Sequence, residues 1–170
     1  MRERDMLDLL RARYTRIRPG TNADRYARAE HPRMPWTSPG PGYGYGHAAA
    51  IADYVAVDTY GHGAVIGHEV KVSRADWLAE LRNLGKSEAW RRYCHRWYLV
   101  CPDHSIVRDD LPDGWGLMTL TPGGVLRVKA AAPENGSREP MPVQVYAQLA
   151  RSIAQTAARE CAARAAMNVR

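Results

Sequence analysis

Two runs of β-forming residues, 51–58 and 64–72, are separated by Thr59-Tyr60-Gly61-His62-Gly63, whose two glycines suit the backbone of a hairpin turn. This pairing constrains the chain more than any other feature, because it sets both a sheet and a register. A hairpin centred on Gly61 places Asp53 directly opposite Glu69. Two carboxylates facing each other across an antiparallel pair have Cβ atoms roughly 5 Å apart, which destabilises the pair unless a cation lies between them. Strand side chains alternate in direction, so Lys71 shares the face of Glu69, about 7 Å along, while His68 and Val70 point to the other face. Asp58 has the opposite parity to Asp53 and reads as a strand-end residue. One small surface is thus expected to carry two acids and an amine.

Around the hairpin the pattern alternates helix and strand. Met6, Leu7, Leu9, Leu10 and Tyr14 recur near helical spacing over 4–14, with acids early and arginines late, as a helix dipole prefers. A short strand is expected over 24–31, stopped by Pro32. Residues 35–47 are a run of Pro, Gly and Tyr without the pattern of a regular element, and they read as a loop. Its Trp36, Tyr43 and Tyr45 are either stacking platforms for nucleobases or a solvated connection.

Ser73-Arg74-Ala75-Asp76 fits a capping box, which gives Asp76 a structural role and starts a helix through Trp77, Leu78, Leu81 and Leu84 that stops near Gly85. A second short helix is expected over 87–93, with Trp90 in the core. Arg96 to Cys101, ended by Pro102, reads as a buried central strand reached by a β-α-β crossover. Strands over 115–120 and 125–130 flank the turn Thr121-Pro122-Gly123-Gly124, and the alanine-rich stretch 142–167 reads as a C-terminal helix. The fold class is therefore α/β or α+β, a mixed central sheet flanked by helices, in a single domain of 170 residues.

Charge and cysteine usage narrow the function classes. A formal charge of +6 favours an acidic partner such as nucleic acid. Cys94, Cys101 and Cys161 have neither CxxC spacing nor even number, so a disulfide framework and a zinc ribbon are both disfavoured. The charged start Met1-Arg2-Glu3-Arg4-Asp5 and the lack of a long apolar run point to a cytoplasmic protein without membrane association. Sequence leaves homo-oligomerisation open.

The segments 51–58, 68–77 and 93–98, with Trp115-Gly116-Leu117-Met118, resemble the MmcB-type DNA-repair protein family of the PD-(D/E)XK nuclease superfamily. The resemblance spans roughly residues 50 to 130. It implies a restriction-endonuclease-like fold, with Asp53 and Glu69 as Mg²⁺ or Mn²⁺ ligands, the Val70 backbone carbonyl as a third, and Lys71 facing the attacking water. It further implies hydrolysis of a DNA phosphodiester by metal-activated water, in repair or mobile-element metabolism. The alternatives are a non-catalytic DNA-binding or scaffold protein that keeps the fold, and an RNA-processing nuclease.

A further acid is common in that superfamily. Glu30 is preferred here, with Glu3 and Asp8 as alternatives. Ala52 replaces the proline of the motif's name. Between Lys71 and Arg96 the cations Arg74, Arg82, Lys86, Arg91 and Arg92 outnumber the acids, which reads either as a phosphate-binding patch or as an ordinary solvated helix face.

Overall fold

The structure is a computed structural model that describes residues 1–21, 23–36 and 48–168. Its first helix, α1 (Glu3–Arg13), has acids in the first turn and arginines in the last. Then come β1 (Tyr26–Glu30), β2 (Arg33–Trp36), β3 (Ala48–Ile51), β4 (Tyr54–Asp58) and β5 (Val65–Val70). After α2 (Arg74–Leu81) and α3 (Gly85–Arg91) follow β6 (Arg96–Val100), β7 (Trp115–Leu120), β8 (Leu126–Ala130) and α4 (Val143–Asn168). A 3₁₀ turn at His104–Ile106 follows β6.

Six strands form one mixed sheet in the order β1-β4-β5-β6-β7-β8, antiparallel except where β6 runs parallel to β5 and to β7. The fold is of the mixed α/β kind expected, and β6 is the central strand of the crossover through α2 and α3.

The hairpin is centred as the sequence predicts. β4 and β5 pair as Tyr54↔His68, Val55↔Gly67, Ala56↔Ile66 and Val57↔Val65, and Gly61 and Gly63 both take positive φ in the connection. Continuing that register by one step sets Asp53 opposite Glu69.

The strand expected over 51–58 is instead broken at Ala52-Asp53. β1 and β2 pair with β4 and β3 in one continuous register, Glu30↔Tyr54 on one side of the break and Arg33↔Ile51 on the other. The two pairs are thus one antiparallel ribbon, kinked at His31-Pro32 on one arm and Ala52-Asp53 on the other. Pro32 has no N–H to give the ladder, and His31 sits at φ 49°, in the left-handed region. Hydrogen bonds from His31 N–H to Asp53 O (3.0 Å) and from Ala52 N–H to Pro32 O (3.3 Å) hold the kink. The kink leaves Asp53 between His31 on one side and Glu69 on the other.

Two other boundaries move. Pro35 and Trp36 belong to β2 rather than to the loop expected over 35–47. Residues 37–47, with Tyr43 and Tyr45, lie outside the described residues, as does the side chain of Trp36. Gly85 opens α3 instead of stopping α2; its φ is not positive, so it makes no left-handed cap, and α2 closes earlier through Asn83 N–H to Glu80 O (2.8 Å).

Each face of the sheet carries its own core. On one, Trp77, Trp90, Trp97 and Trp115 pack with Val55, Leu99, Val145 and Leu149; on the other, Met6, Leu7 and Leu10 of α1, with Tyr14 just beyond its end, cover Tyr54, Ala56, Tyr98, Val100 and Met118. Burying Met6, Leu7 and Leu10 contributes about 1.5–3 kcal/mol for each side chain. The parity of β5 divides its residues between these faces, so Glu69 belongs to the tryptophan side and His68 to the α1 side.

Candidate metal centre

Asp53, Glu69 and Lys71 meet where the ribbon kinks and β5 ends. The Val70 N–H donates to Asp53 Oδ2 (2.7 Å), which fixes the carboxylate against β5. Glu69 is only 5 % exposed, and its carboxylate accepts from Lys71 Nζ. Lys71 Nζ lies 3.1 Å from Glu80 Oε2 on α2, so one ammonium bridges two acids. Glu80 is itself held by Ser87, whose hydroxyl donates to it across the α2–α3 turn.

The electrostatics follow from this crowding. Burial raises the Glu69 pKa well above the usual carboxylate range, and the nearby charge of Asp53 adds to the rise. Burial likewise raises Asp53, against the lowering effects of Lys71 and of the Val70 hydrogen bond. Burial opposes the charge of Lys71, but Glu69, Asp53 and Glu80 outweigh it and hold the ammonium protonated. Lys71 is therefore a fixed cation, not a general base, in this arrangement.

A second set of donors adjoins the first. One carboxylate oxygen each from Glu3 and Asp53 and a ring nitrogen of His31 lie within 4.8 Å of one another. Glu3, on the first turn of α1, also borders a cleft of about 320 Å³ that Lys71, Asp76, Glu80 and Lys86 line. The additional acid near Asp53 is thus Glu3, one of the alternatives to Glu30.

Glu30 itself is placed elsewhere. It pairs across the ladder with Tyr54, which puts its side chain on the α1 face of the sheet. There Arg4 donates to both of its oxygens (2.9 and 2.8 Å) and holds its pKa below the usual range, with Arg159 3.8 Å away. Asp8 is likewise taken by Arg4 and Arg11. Val70 lines the cleft, and its N–H is the group engaged at Asp53.

The expected basic patch divides. Arg74 is withdrawn from it: the guanidinium binds Asp110 through two bonds (3.0 and 2.6 Å) and the carbonyls of Ile106 and Val107 (both 3.0 Å). Arg91 is tied to Glu88 one turn earlier on α3 (2.7 Å). Arg82 and Arg92 are exposed, and Lys86 is exposed on the cleft. Asp76 caps α2 as expected, its N–H donating to Ser73 Oγ (3.1 Å), but its carboxylate takes the Ser73 hydroxyl (2.7 Å) in place of the Ser73 N–H.

His68 is also as parity predicts, on the far face and fully buried. Its Nδ1–H donates to Tyr54 O (3.2 Å), which leaves Nε2 to accept the Tyr14 hydroxyl (2.9 Å). Burial pushes its pKa down to about 3, so the ring is neutral and structural. Sequence reasoning did not single out Glu80 or His31. Glu80 stands three residues after the buried Trp77 on α2, a spacing that shares a helix face. His31 reaches Asp53 only through the ribbon register, which no local pattern reveals.

No family model matches the chain, and no curated protein does. The fold is similar to that of a solved structure described as "SPO1766 protein of unknown function from Silicibacter pomeroyi", with a TM-score of 0.55 and 20% sequence identity. The likeness covers 94% of this chain and 86% of that one. At that identity it bears on the fold alone. No helix among the described residues is long and apolar enough to cross a membrane.

Proposed function

We propose that the chain is a divalent-metal-dependent nuclease acting on DNA, within the cytoplasm and without membrane attachment. The observation that carries this reading is the grouping of Asp53, Glu69 and Lys71 at the kinked end of the hairpin, in the register their spacing predicts. The resemblance to the MmcB-type family supports it.

The residues present fit a hard divalent ion. Both carboxylates are raised by burial, Glu69 further by the charge of Asp53 and Asp53 by that of Glu3, so the cluster lacks enough positive charge, and oxygen donors with room for water suit Mg²⁺ or Mn²⁺. Asp53 and Glu69 would hold the ion, with Glu3 and His31 on its open side. A bound ion would polarise a phosphoryl oxygen and lower the pKa of water. Lys71, held charged by its acids, faces the phosphate and stabilises negative charge that develops on it. Lys86 stands on the same cleft, where a phosphate backbone would pass.

A second reading has its own observation. Lys71 already bridges Glu69 and Glu80, so the cluster is partly neutralised from within, as in a protein that keeps the fold and binds DNA without cutting it. Purified protein incubated with labelled DNA and Mg²⁺ or Mn²⁺ separates the two. Cleavage is expected to be lost with EDTA and in Glu69→Gln, and to fall roughly 10²-fold or more in Lys71→Ala. Cleavage that both substitutions leave intact would remove the nuclease assignment, and binding without cleavage would favour the second reading. Parallel RNA substrates decide the polymer.

A further inference from the structure

We propose a separate oxyanion site, of the size and charge of a phosphate group, at the carboxyl end of α1. A cavity of about 170 Å³ opens there, with Arg13, Arg16 and Arg96 around it and Tyr14, Tyr26 and Tyr98 as its aromatic wall. It is smaller than the ~300 Å³ at which sites for drug-sized ligands begin, so it fits one small group and not a whole nucleotide.

The three arginines differ from those that are paired with acids. Arg4, Arg25, Arg28, Arg74 and Arg91 each lie within salt-bridge distance of a carboxylate. Among the described residues, no carboxylate comes within 4.0 Å of the guanidinium group of Arg13, Arg16 or Arg96, although Asp24 accepts the Arg16 backbone N–H (2.9 Å). Three cations without acids therefore gather at one cavity, where mutual repulsion favours an anion.

Capping of α1 does not use these groups up. The carbonyls at that helix end already have donors: Leu10 O takes the Tyr14 N–H (3.0 Å), Arg11 O the Thr15 hydroxyl (2.7 Å), and Tyr14 O the Arg28 guanidinium (2.9 Å). Arg13 makes one long bond to Leu126 O (3.4 Å).

The wall is rigid where the rim is free. Tyr14 is locked by its bond to His68 and by edge contact with Tyr26 (5.0 Å between centroids), and Tyr98 stacks on His68 (6.0 Å). Arg16 and Arg96 are exposed at the rim. Planar guanidinium forks pair two oxygens at a time, so three of them suit a tetrahedral group with several oxygens better than a carboxylate with two.

Arg16 also borders a neighbouring cavity that contains Arg127, and another that contains Arg18 and Arg25. The phosphate comes either from a free anion or from a nucleic-acid backbone crossing this basic surface. The site is independent of the metal centre: Glu3 and Arg13 stand at opposite ends of α1, roughly 15 Å apart along its axis.

The test follows the arginine Nε–H resonances of the full chain by NMR. One titration uses inorganic phosphate against chloride at equal ionic strength, and the other a short single-stranded thymidine oligonucleotide. Arg13, Arg16 and Arg96 are expected to shift together and to saturate, with affinity about tenfold weaker or more in Arg13→Gln/Arg96→Gln, and in Arg16→Gln should the double variant fail to fold. Saturation by phosphate assigns a free anion, and saturation by the oligonucleotide alone assigns a backbone phosphate. Shifts that chloride reproduces, that spread equally to Arg82 and Arg92, or that never appear would overturn the site.

Discussion

Lys71 holds together a cluster that repels itself without it. Its ammonium lies between Glu69 and Glu80, close to Asp53, and all four side chains are at least four-fifths buried. Removing a partner from a buried pair leaves an uncompensated charge, so Lys71→Met is expected to cost about 3 kcal/mol in urea denaturation at neutral pH. The loss should shrink as pH falls, because the raised pKa of Glu69 lets it neutralise by taking a proton. A variant as stable as the parent at pH 7 would show that the acids are solvated.

His68 supplies a pH dependence of known sign. The ring is neutral when folded, with a pKa near 3 against 6.5 for an ordinary histidine, so between those values the unfolded chain binds the extra proton. Its contribution to stability is thus complete above pH 6.5 and is lost progressively as pH falls towards about 3. His68→Gln should flatten the acid limb of the stability curve over that interval. Gly67 is a steric counterpart: a Cβ there would stand 2.2 Å from the Trp97 ring, so Gly67→Ala should destabilise by roughly 1–3 kcal/mol in the same experiment.

Among the elements, the hairpin and the ribbon show what local sequence carries. The β4–β5 register was legible because its turn is short, its glycines lie near the centre and the strands on either side alternate. The ribbon was not, because its arms are joined through residues 37–47, and a long connection leaves the pairing partner unspecified. Glu30 is preferred on the family resemblance, which implies an acid just upstream of the aspartate strand. The ladder instead places it on the α1 face, where Arg4 takes it.

Helix boundaries moved for the same reason that Glu80 was missed: the α2–α3 turn is set by contacts between helices, which single-helix periodicity does not contain. The long helix α4 covers the edge strand β1, with Thr156 Oγ accepting the Glu30 N–H (3.0 Å) and Glu160 accepting from Arg28 (2.9 Å). Thr156→Val is expected to cost about 1–3 kcal/mol by leaving that N–H without its partner, and to speed amide exchange at Glu30 relative to β5. Unchanged exchange would mean that α4 does not protect the edge.

Over the whole molecule, charge is arranged by place rather than by total. The metal-centre end of the sheet gathers Glu3, Asp53, Glu69 and Glu80 around Lys71, while Arg13, Arg16, Arg96 and Arg127 collect towards the other end of α1. A net charge of +6 conceals this polarity, so composition pointed to an acidic partner without locating where it would bind. The β4–β5 hairpin brings the end of β5 to the kink of the ribbon, and the helix pair in the crossover adds Glu80.

The claim on which the function rests is that the kink holds a divalent ion, and anomalous scattering from crystals grown with Mn²⁺ tests it directly. The expected result is a manganese peak within bonding distance of the Asp53 and Glu69 carboxylates, lost in Asp53→Asn. A well-ordered site with no peak there, Lys71 still bridging Glu69 and Glu80, would contradict it.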